Sequence, residues 1–560
     1  MATIDGGALV GKALANEGVE KAFVLCGGHI MPIFYGMRNA GIEIIDMRHE
    51  AAAVYAAIAY TRASGKAAVV VTTAGPGVGN TPAAMMEAAA MGIPLLQIGG
   101  AVAMNMRDAG DLQDMDTLKL MDACSKWARK VTLTDRIPEY VAMAFRQALD
   151  AKPGPVYLEI PTDLLFFQIE EELAPFPANY RANAIPHGDP ALIESAATLL
   201  ADAQRPAILV DDGARFSMGE DAAAIKALSD HLQIPVGVNG PSCRGLFGDE
   251  YKYPLLKNNA MWGADVVLAL GCRFDFRLGM GKMIPTDAKV IQVHTDMHQI
   301  GFNLRADIGI VGGAGPVSRQ LLAVIRDRRP EPVEVTWTGP PGIGGFASLA
   351  DDFRTQGTPI HPARCAGEVA RFLEEEGRDW NIICDGGEAG IWMGMASCAS
   401  RPGQIHSTGP NGTIGTGPAL AVGAWVANRR PVLWYSGDGS FGFYAMEMDT
   451  MAKLGIPVVC VISNDSAWGM IRLAEKYIRP DEVAEKGHCN VELHPMRAYD
   501  KMVAMWDGHG EQVTAPEEII PAIRRAAANG KPSIINVEVD QVSLSPMIAA
   551  YADMVRPENE

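Results

Sequence analysis

The sequence predicts an α/β protein built from three doubly wound parallel-sheet domains. Three observations carry that prediction: the length, the alternation of strand-like and helix-like segments, and two proline-rich breaks. At 560 residues the chain is too long for one hydrophobic core, because cores stop growing near about 250–300 residues. Short β-rich runs recur at Ala67–Thr72, Ala207–Val210, Val266–Leu270, Val290–Val293, Val432–Tyr435 and Val458–Ile462, mostly close to Gly, Pro or Asp. Amphipathic or Ala-rich helical stretches such as Ala191–Ala203 and Pro516–Asn529 lie between them. That alternation implies parallel sheets covered on both faces. Glu171–Pro190 and Arg329–Phe346 carry several prolines without a period and read as linkers. The domains are then expected at residues 1–170, 188–328 and 358–545, with 546–560 as a C-terminal tail.

Bulk composition narrows the function classes. Hydrophobic residues make up 48% and charged residues 20%, ordinary for a soluble globular chain. No apolar run approaches the roughly 18 residues of a membrane span. The opening Met1-Ala2-Thr3-Ile4-Asp5-Gly6 lacks the basic and apolar regions of a signal peptide. The nine cysteines stand singly, with no C-x-x-C pair; that suits reduced thiols in a cytoplasm and argues against structural zinc. A net charge of −18 counts against nucleic acid or an anionic membrane as partner. It leaves room for an anionic small molecule, since backbone N–H groups with a cation hold phosphate on an acidic protein.

The densest chemistry lies in the third block. Gly437-Asp438-Gly439-Ser440 follows an apolar strand and leads into a helical segment. Glycines there let the backbone approach a ligand, and a helix N-terminus favours an anion. Alone, this is also the pattern of a strand-ending turn. The next strand, Val458–Ser463, ends in Asn464-Asp465-Ser466-Ala467-Trp468-Gly469. Asp438 and Asp465 therefore fall at the carboxyl ends of neighbouring parallel strands, where α/β sheets bind ligands. Two carboxylates, a backbone carbonyl, phosphate oxygens and a water would complete the octahedral oxygen shell of Mg²⁺.

These residues resemble the thiamine-diphosphate enzymes, in which G-D-G is followed by an Asn-Asn strand end. The resemblance implies Asp438, Asp465 and the Ala467 carbonyl as metal ligands, with Asp465 departing from the family's usual Asn. It implies diphosphate contacts from Gly437, Gly439, Ser440 and, through Asp385-Gly386-Gly387, from Gly387. Ile414 matches the bulky residue that bends the cofactor. In the first block, Glu50 opens the helix Ala51–Ala63, where an acid normally just complements the dipole. The Thr73-Ala74-Gly75-Pro76-Gly77 loop follows at family spacing, so Thr73 and Gly75 would face the aminopyrimidine while Glu50 protonates it. The implied domains are pyrimidine-binding, central Rossmann-like and diphosphate-binding.

Within that family, Gly27-Gly28-His29-Ile30 and Leu112-Gln113-Asp114 decide the branch. They resemble the 2-hydroxyacyl-CoA lyases and benzaldehyde lyase of the acetolactate-synthase-like group. His29 would relay protons during carbon–carbon cleavage, a task imidazole suits near neutral pH, and Gln113 would hold the developing oxyanion. Acetolactate synthases carry Tyr-Pro-Gly where this chain has Gly28-His29-Ile30, and decarboxylase relatives show a His-His pair absent here. Arg273-Phe274-Asp275-Phe276-Arg277 resembles the family's R-F-D-x-R run without requiring flavin, and no G-x-G-x-x-G opens the central block, which argues against nicotinamide.

The expected activity is a thiamine-diphosphate-dependent carbon–carbon lyase and carboligase, cleaving 2-hydroxyacyl-CoA to an aldehyde and formyl-CoA. The rivals are a benzaldehyde-lyase-like enzyme acting on 2-hydroxy ketones, acetolactate synthesis, and a catalytically silent binding homologue. Leu112, Trp468, Leu544 and Met547 are candidate substrate contacts. The tail reads about equally as a helix packed on the third domain or a frayed end, or as an active-site lid. A homodimer, or a tetramer of two dimers, is implied because the family's subunits share each cofactor.

Overall fold

A computed structural model describes residues 2–182, 184–216, 222–248, 263–332, 351–407, 409–543 and 545–546. The chain divides into two compact units, one of Met1–Gly345 with Arg401–Gly403 and one of Phe346–Ser400 with Gln404–Glu560.

The first unit holds two large parallel sheets and a two-stranded ribbon. Strand β1 (Thr3–Asp5) pairs antiparallel with β8 (Gln168–Glu170). Between them lie β2 (Lys21–Val24), β3 (Glu43–Asp46), β4 (Ala68–Thr72), β5 (Leu95–Ala101), β6 (Trp127–Lys130) and β7 (Pro155–Pro161), in the order β3-β2-β4-β5-β7-β6. All these pairings are parallel. Every residue of β4, β5 and β7 is buried, as a sheet covered on both faces requires. Two of the covering helices, Gly6–Asn16 and Met31–Asn39, pack backbone to backbone. A Cβ on Gly7 or Gly11 would overlap Pro32 or Gly36 of the second helix.

The second sheet of this unit comprises β9 (Pro206–Val210), β10 (Val236–Val238), β11 (Val266–Leu270), β12 (Lys289–His294) and β13 (Ile308–Val311), ordered β10-β9-β11-β12-β13. The preceding segment holds one short 3-10 turn, Glu171–Leu173, and no other regular element among the described residues before the helix Pro190–Asp202. Most of the other expected linker, including residues 333–346, lies outside the described residues.

The second unit is built on β14 (Asn381–Cys384), β15 (Ile405–Ser407), β16 (Val432–Gly437), β17 (Val458–Asn464), β18 (Gly510–Val513) and β19 (Ser533–Glu538). Their order is β15-β14-β16-β17-β19-β18, again all parallel. In each sheet the strand order reverses beside the earliest major strand: between β2 and β4, β9 and β11, and β14 and β16. Such switch points open a crevice at the carboxyl ends of the strands. No helix among the described residues is long and apolar enough to cross a membrane, and all nine cysteines are free thiols.

Candidate active site

In the second unit the switch point between β14 and β16 is occupied by the two predicted loops. Register places Cys384 beside Tyr435 and Gly437 beside Ser463, so Asp385-Gly386-Gly387, Asp438 and Asp465 emerge at the same sheet edge. A cavity of about 270 Å³ opens there, lined by Gly387, Ile414, Gly437, Asp438, Gly439, Ser440, Asp465, Ala467 and Trp468 among others. Close backbone approach explains the glycines. A Cβ at Gly387 would press on Met470 Sδ at 2.7 Å, and one at Gly439 on the Trp468 ring at 2.7 Å.

Asp438 is 3% exposed and neighbours Asp465. Burial, then the neighbouring Asp465 charge, holds the Asp438 carboxyl well above the usual carboxylate range; burial likewise raises Asp465. Two desolvated carboxyls pressed together need either a shared proton or a cation between them. Hard-oxygen chemistry of this kind fits Mg²⁺. Among the described residues no group of three or more His, Cys, Asp or Glu side chains is gathered for a metal, so the remaining ligands would be backbone, phosphate and water.

The Asp465 loop is fixed from several sides. Asn464 Nδ2 donates to Asn536 Oδ1 (3.0 Å), the N–H of Ser466 donates to Asn464 Oδ1 (3.0 Å), and Gln541 Nε2 donates to the Asp465 carbonyl (2.5 Å). These bonds hold Ser466 at φ +57°, a left-handed conformation costly for a non-glycine residue. A Cβ on Gly469 would overlap Asp465 Oδ2. Gly469→Ala is therefore expected to push the carboxylate off position and weaken Mg²⁺ binding by about tenfold, which metal titration would read.

Asp385 was legible only as part of a loop, yet its carboxylate organises the site. It accepts N–H bonds from Gly386 (2.8 Å), Gly415 (2.9 Å) and Gly417 (3.0 Å), tying the Asp385-Gly386-Gly387 loop to the segment bearing Ile414. Burial still pushes its carboxyl up to about 6. Glu388, unremarked in the sequence, lines the cavity and accepts the Ser545 N–H at 2.7 Å. Burial raises this carboxyl as well. The candidate substrate contacts Leu544 and Met547 lie outside the described residues.

In the first unit the predicted residues gather around the switch point between β2 and β4. A Cβ on Gly27 would overlap Thr73, and one on Gly100 would come within 3.0 Å of His29 Cβ, so the Gly27-Gly28-His29 turn seats directly against the ends of β4 and β5. Thr73 Oγ1 donates to Gln113 Oε1 at 3.3 Å. Gly75 sits beneath Gln113, whose carbonyl a Cβ there would meet at 2.7 Å. Gln113 itself is held at φ +67°, the kind of backbone strain that collects at functional sites. Arg107 braces this loop, donating to the Met115 carbonyl and to Asp116. Leu112 is 73% exposed.

Glu50 opens the helix Glu50–Ser64 and is 8% exposed. Asn80 Nδ2 donates to its Oε2 at 2.9 Å, while Oε1 faces the Gly77 turn, where an added Cβ would stand 3.6 Å away and overlap the Thr73 methyl. The Arg273–Arg277 run ends differently from a ligand site. Arg277 is bound to Asp275 (2.9 Å), Asp211 (3.3 Å) and Asp212 (3.4 Å), so its charge is used within the central sheet's own switch point.

A glycine-lined crevice with facing carboxyls on one doubly wound sheet, and a second switch point gathering Glu50, Thr73 and Gln113 on another, define a cofactor-binding α/β enzyme. Models of the thiamine pyrophosphate enzymes match in order: the N-terminal TPP binding domain over residues 4–120, the central domain over 193–321 and the C-terminal TPP binding domain over 385–537. The chain belongs to this family of thiamine-diphosphate-dependent enzymes, in its acetolactate-synthase-like group. It is 31% identical to an acetolactate synthase large subunit of Mycobacterium tuberculosis, with 96% of each chain covered. It is 30% identical to a 2-hydroxyacyl-CoA lyase 2 of Danio rerio, covering 96% of this chain and 92% of the relative. A probable acetolactate synthase large subunit of Methanocaldococcus jannaschii is 29% identical over 96% of this chain and 92% of its own. The glycine-lined cavity and the facing carboxyls are what a Mg²⁺-bound diphosphate would require, so the residues present fit the family's cofactor.

Proposed function

We propose that this protein is a carbon–carbon lyase that cleaves 2-hydroxyacyl-CoA to an aldehyde and formyl-CoA, and joins them in reverse. It would use thiamine diphosphate with Mg²⁺ and act as a homodimer or a dimer of dimers, with neither nucleic acid nor membrane as partner. The gathering of His29, Thr73 and Gln113 at one switch point carries the reading. Because the Thr73 hydroxyl occupies Gln113 Oε1, the amide nitrogen is the atom left to donate to a substrate oxygen. His29, half-buried beside β5, moves a proton to or from the substrate hydroxyl. Glu50 holds and returns a proton at the cofactor's pyrimidine ring. Asp438, Asp465 and the Ala467 carbonyl hold Mg²⁺, and Gly387, Gly437, Gly439 and Ser440 receive the diphosphate. Bound thiamine diphosphate supplies a carbon nucleophile toward carbonyl groups.

The names of the relatives favour a second reading, acetolactate synthesis from pyruvate. One experiment separates the two. The cofactor-loaded enzyme is incubated with a panel of 2-hydroxyacyl-CoAs, 2-hydroxy ketones and pyruvate. Aldehyde release from the CoA esters is the expected result. Carbon dioxide from pyruvate without aldehyde from any ester would replace this reading with the second, and aldehyde from the ketones alone would point to a benzaldehyde-lyase-like enzyme.

A further inference from the structure

We propose that Asn80 is a positioning residue that assigns the two oxygens of Glu50 different tasks, an inference that rests on the functional reading above. The Asn80 side chain is not needed where it stands for local structure. It follows the helix Pro76–Gly79, and the capping is done by its backbone N–H, which donates to the Pro76 carbonyl at 3.0 Å. Its amide instead crosses to Glu50, on a different helix, at 2.9 Å. The backbone beside it is anchored: the buried Thr81 Oγ1 shares its proton between the Val78 carbonyl (2.8 Å) and Gln97 Oε1 of β5 (3.0 Å), and Gln97 Nε2 donates to Thr72 Oγ1 of β4 (3.2 Å). Asn80 therefore presents its amide from a point tied to the sheet through its neighbour Thr81.

The chemistry of the contact is one-sided. A carboxylate only accepts, so the amide must face it with nitrogen rather than oxygen. While that N–H is directed at Oε2, a proton placed on Oε2 would meet a donor and lose the bond. A proton on Oε1 keeps it. Oε1 is thus the oxygen that gains and gives the proton, and it lies on the side facing Gly77 and Thr73, away from the Asn80 amide's bond. Asn80 also fixes the carboxylate plane, which aims the exchangeable proton in one direction.

Wild-type protein and the variants Asn80→Ala, Asn80→Asp and Glu50→Gln, each loaded with thiamine diphosphate and Mg²⁺, test this. Two readouts are the rate at which the cofactor's thiazolium C2 proton exchanges with deuterium, and the ultraviolet circular dichroism reporting the aminopyrimidine tautomer. Cofactor affinity from tryptophan fluorescence quenching monitors folding. Asn80→Ala is expected to slow exchange about 10- to 100-fold, with affinity changed less than about threefold. Asn80→Asp, which sets an acceptor against an acceptor, should slow it further and shift the dichroism toward the Glu50→Gln signal. Wild-type exchange in both Asn80 variants, alongside slow exchange in Glu50→Gln, would overturn the proposal and leave the functional reading intact. Wild-type exchange in Glu50→Gln would bring down the reading and this proposal together.

Discussion

Glu50→Gln is expected to lower cofactor-dependent turnover by about 10²–10⁴-fold, the usual worth of one positioned acid–base group. Glutamine has the same shape and still offers an oxygen to Asn80 Nδ2. What it lacks is an oxygen that can carry and release a proton. The structural effect should be small: the helix Glu50–Ser64 loses the acid of its first turn, worth about 0.3–1 kcal/mol against the helix dipole. Steady-state kinetics with a thermal melt checks both halves. Full activity in the variant would remove Glu50 from the chemistry, and a large drop in melting temperature would recast it as a structural residue.

Asp438→Asn is expected to weaken Mg²⁺-dependent retention of thiamine diphosphate on the order of 100-fold. Removing one charge from a buried charged cluster costs about 3 kcal/mol or more, and Asp438 sits at 3% exposure with Asp465 as its neighbour. The same pair gives a pH dependence of definite sign. Both carboxyls are raised, chiefly by burial, so without a cation the folded state binds more protons than the unfolded one. Metal-free stability is then fully present at low pH and falls as pH rises through the pair's folded titration. Mg²⁺ held by this pair would bind its ionised form, so its affinity is expected to climb over the same interval. Melts at intervals from about pH 5 to 8, with and without Mg²⁺, should show the two trends crossing. In Asp438→Asn both should flatten. A metal-free protein that grew more stable with rising pH in the wild type alone would contradict the assignment.

The loops that line this candidate site stand out in the sequence itself. Asp438, Asp465 and Glu50 stand out because metal and proton chemistry tolerate few residue types, and because each follows a strand whose apolar run announces its carboxyl end. The alternation that marks the sheets survives in one dimension for the same reason: a parallel strand buried on both faces leaves a continuous Val/Ile/Leu signature, as β17 does in Val458–Asn464. Asn80, Asp385, Glu388 and Gln541 were not legible as partners. Their roles depend on side chains that approach across loops: Asp385 reaches Gly415 and Gly417, and Gln541 reaches the Asp465 carbonyl. Nor does any local pattern predict a left-handed Gln113; that conformation is imposed by what packs around it. The departure at Asp465 from the asparagine expected of the resemblance was visible, but its consequence, a second partly buried carboxyl against Asp438, needed the geometry.

The short ribbon of β1 and β8 sets Thr3–Asp5 against Gln168–Glu170. The chain thus enters and leaves the first domain at one doorway, with the whole β2–β7 sheet looped between. A domain whose two ends are neighbours is portable. It can be cut out, joined end to end with new termini elsewhere, or carried to another place in a polypeptide, without stretching its interior.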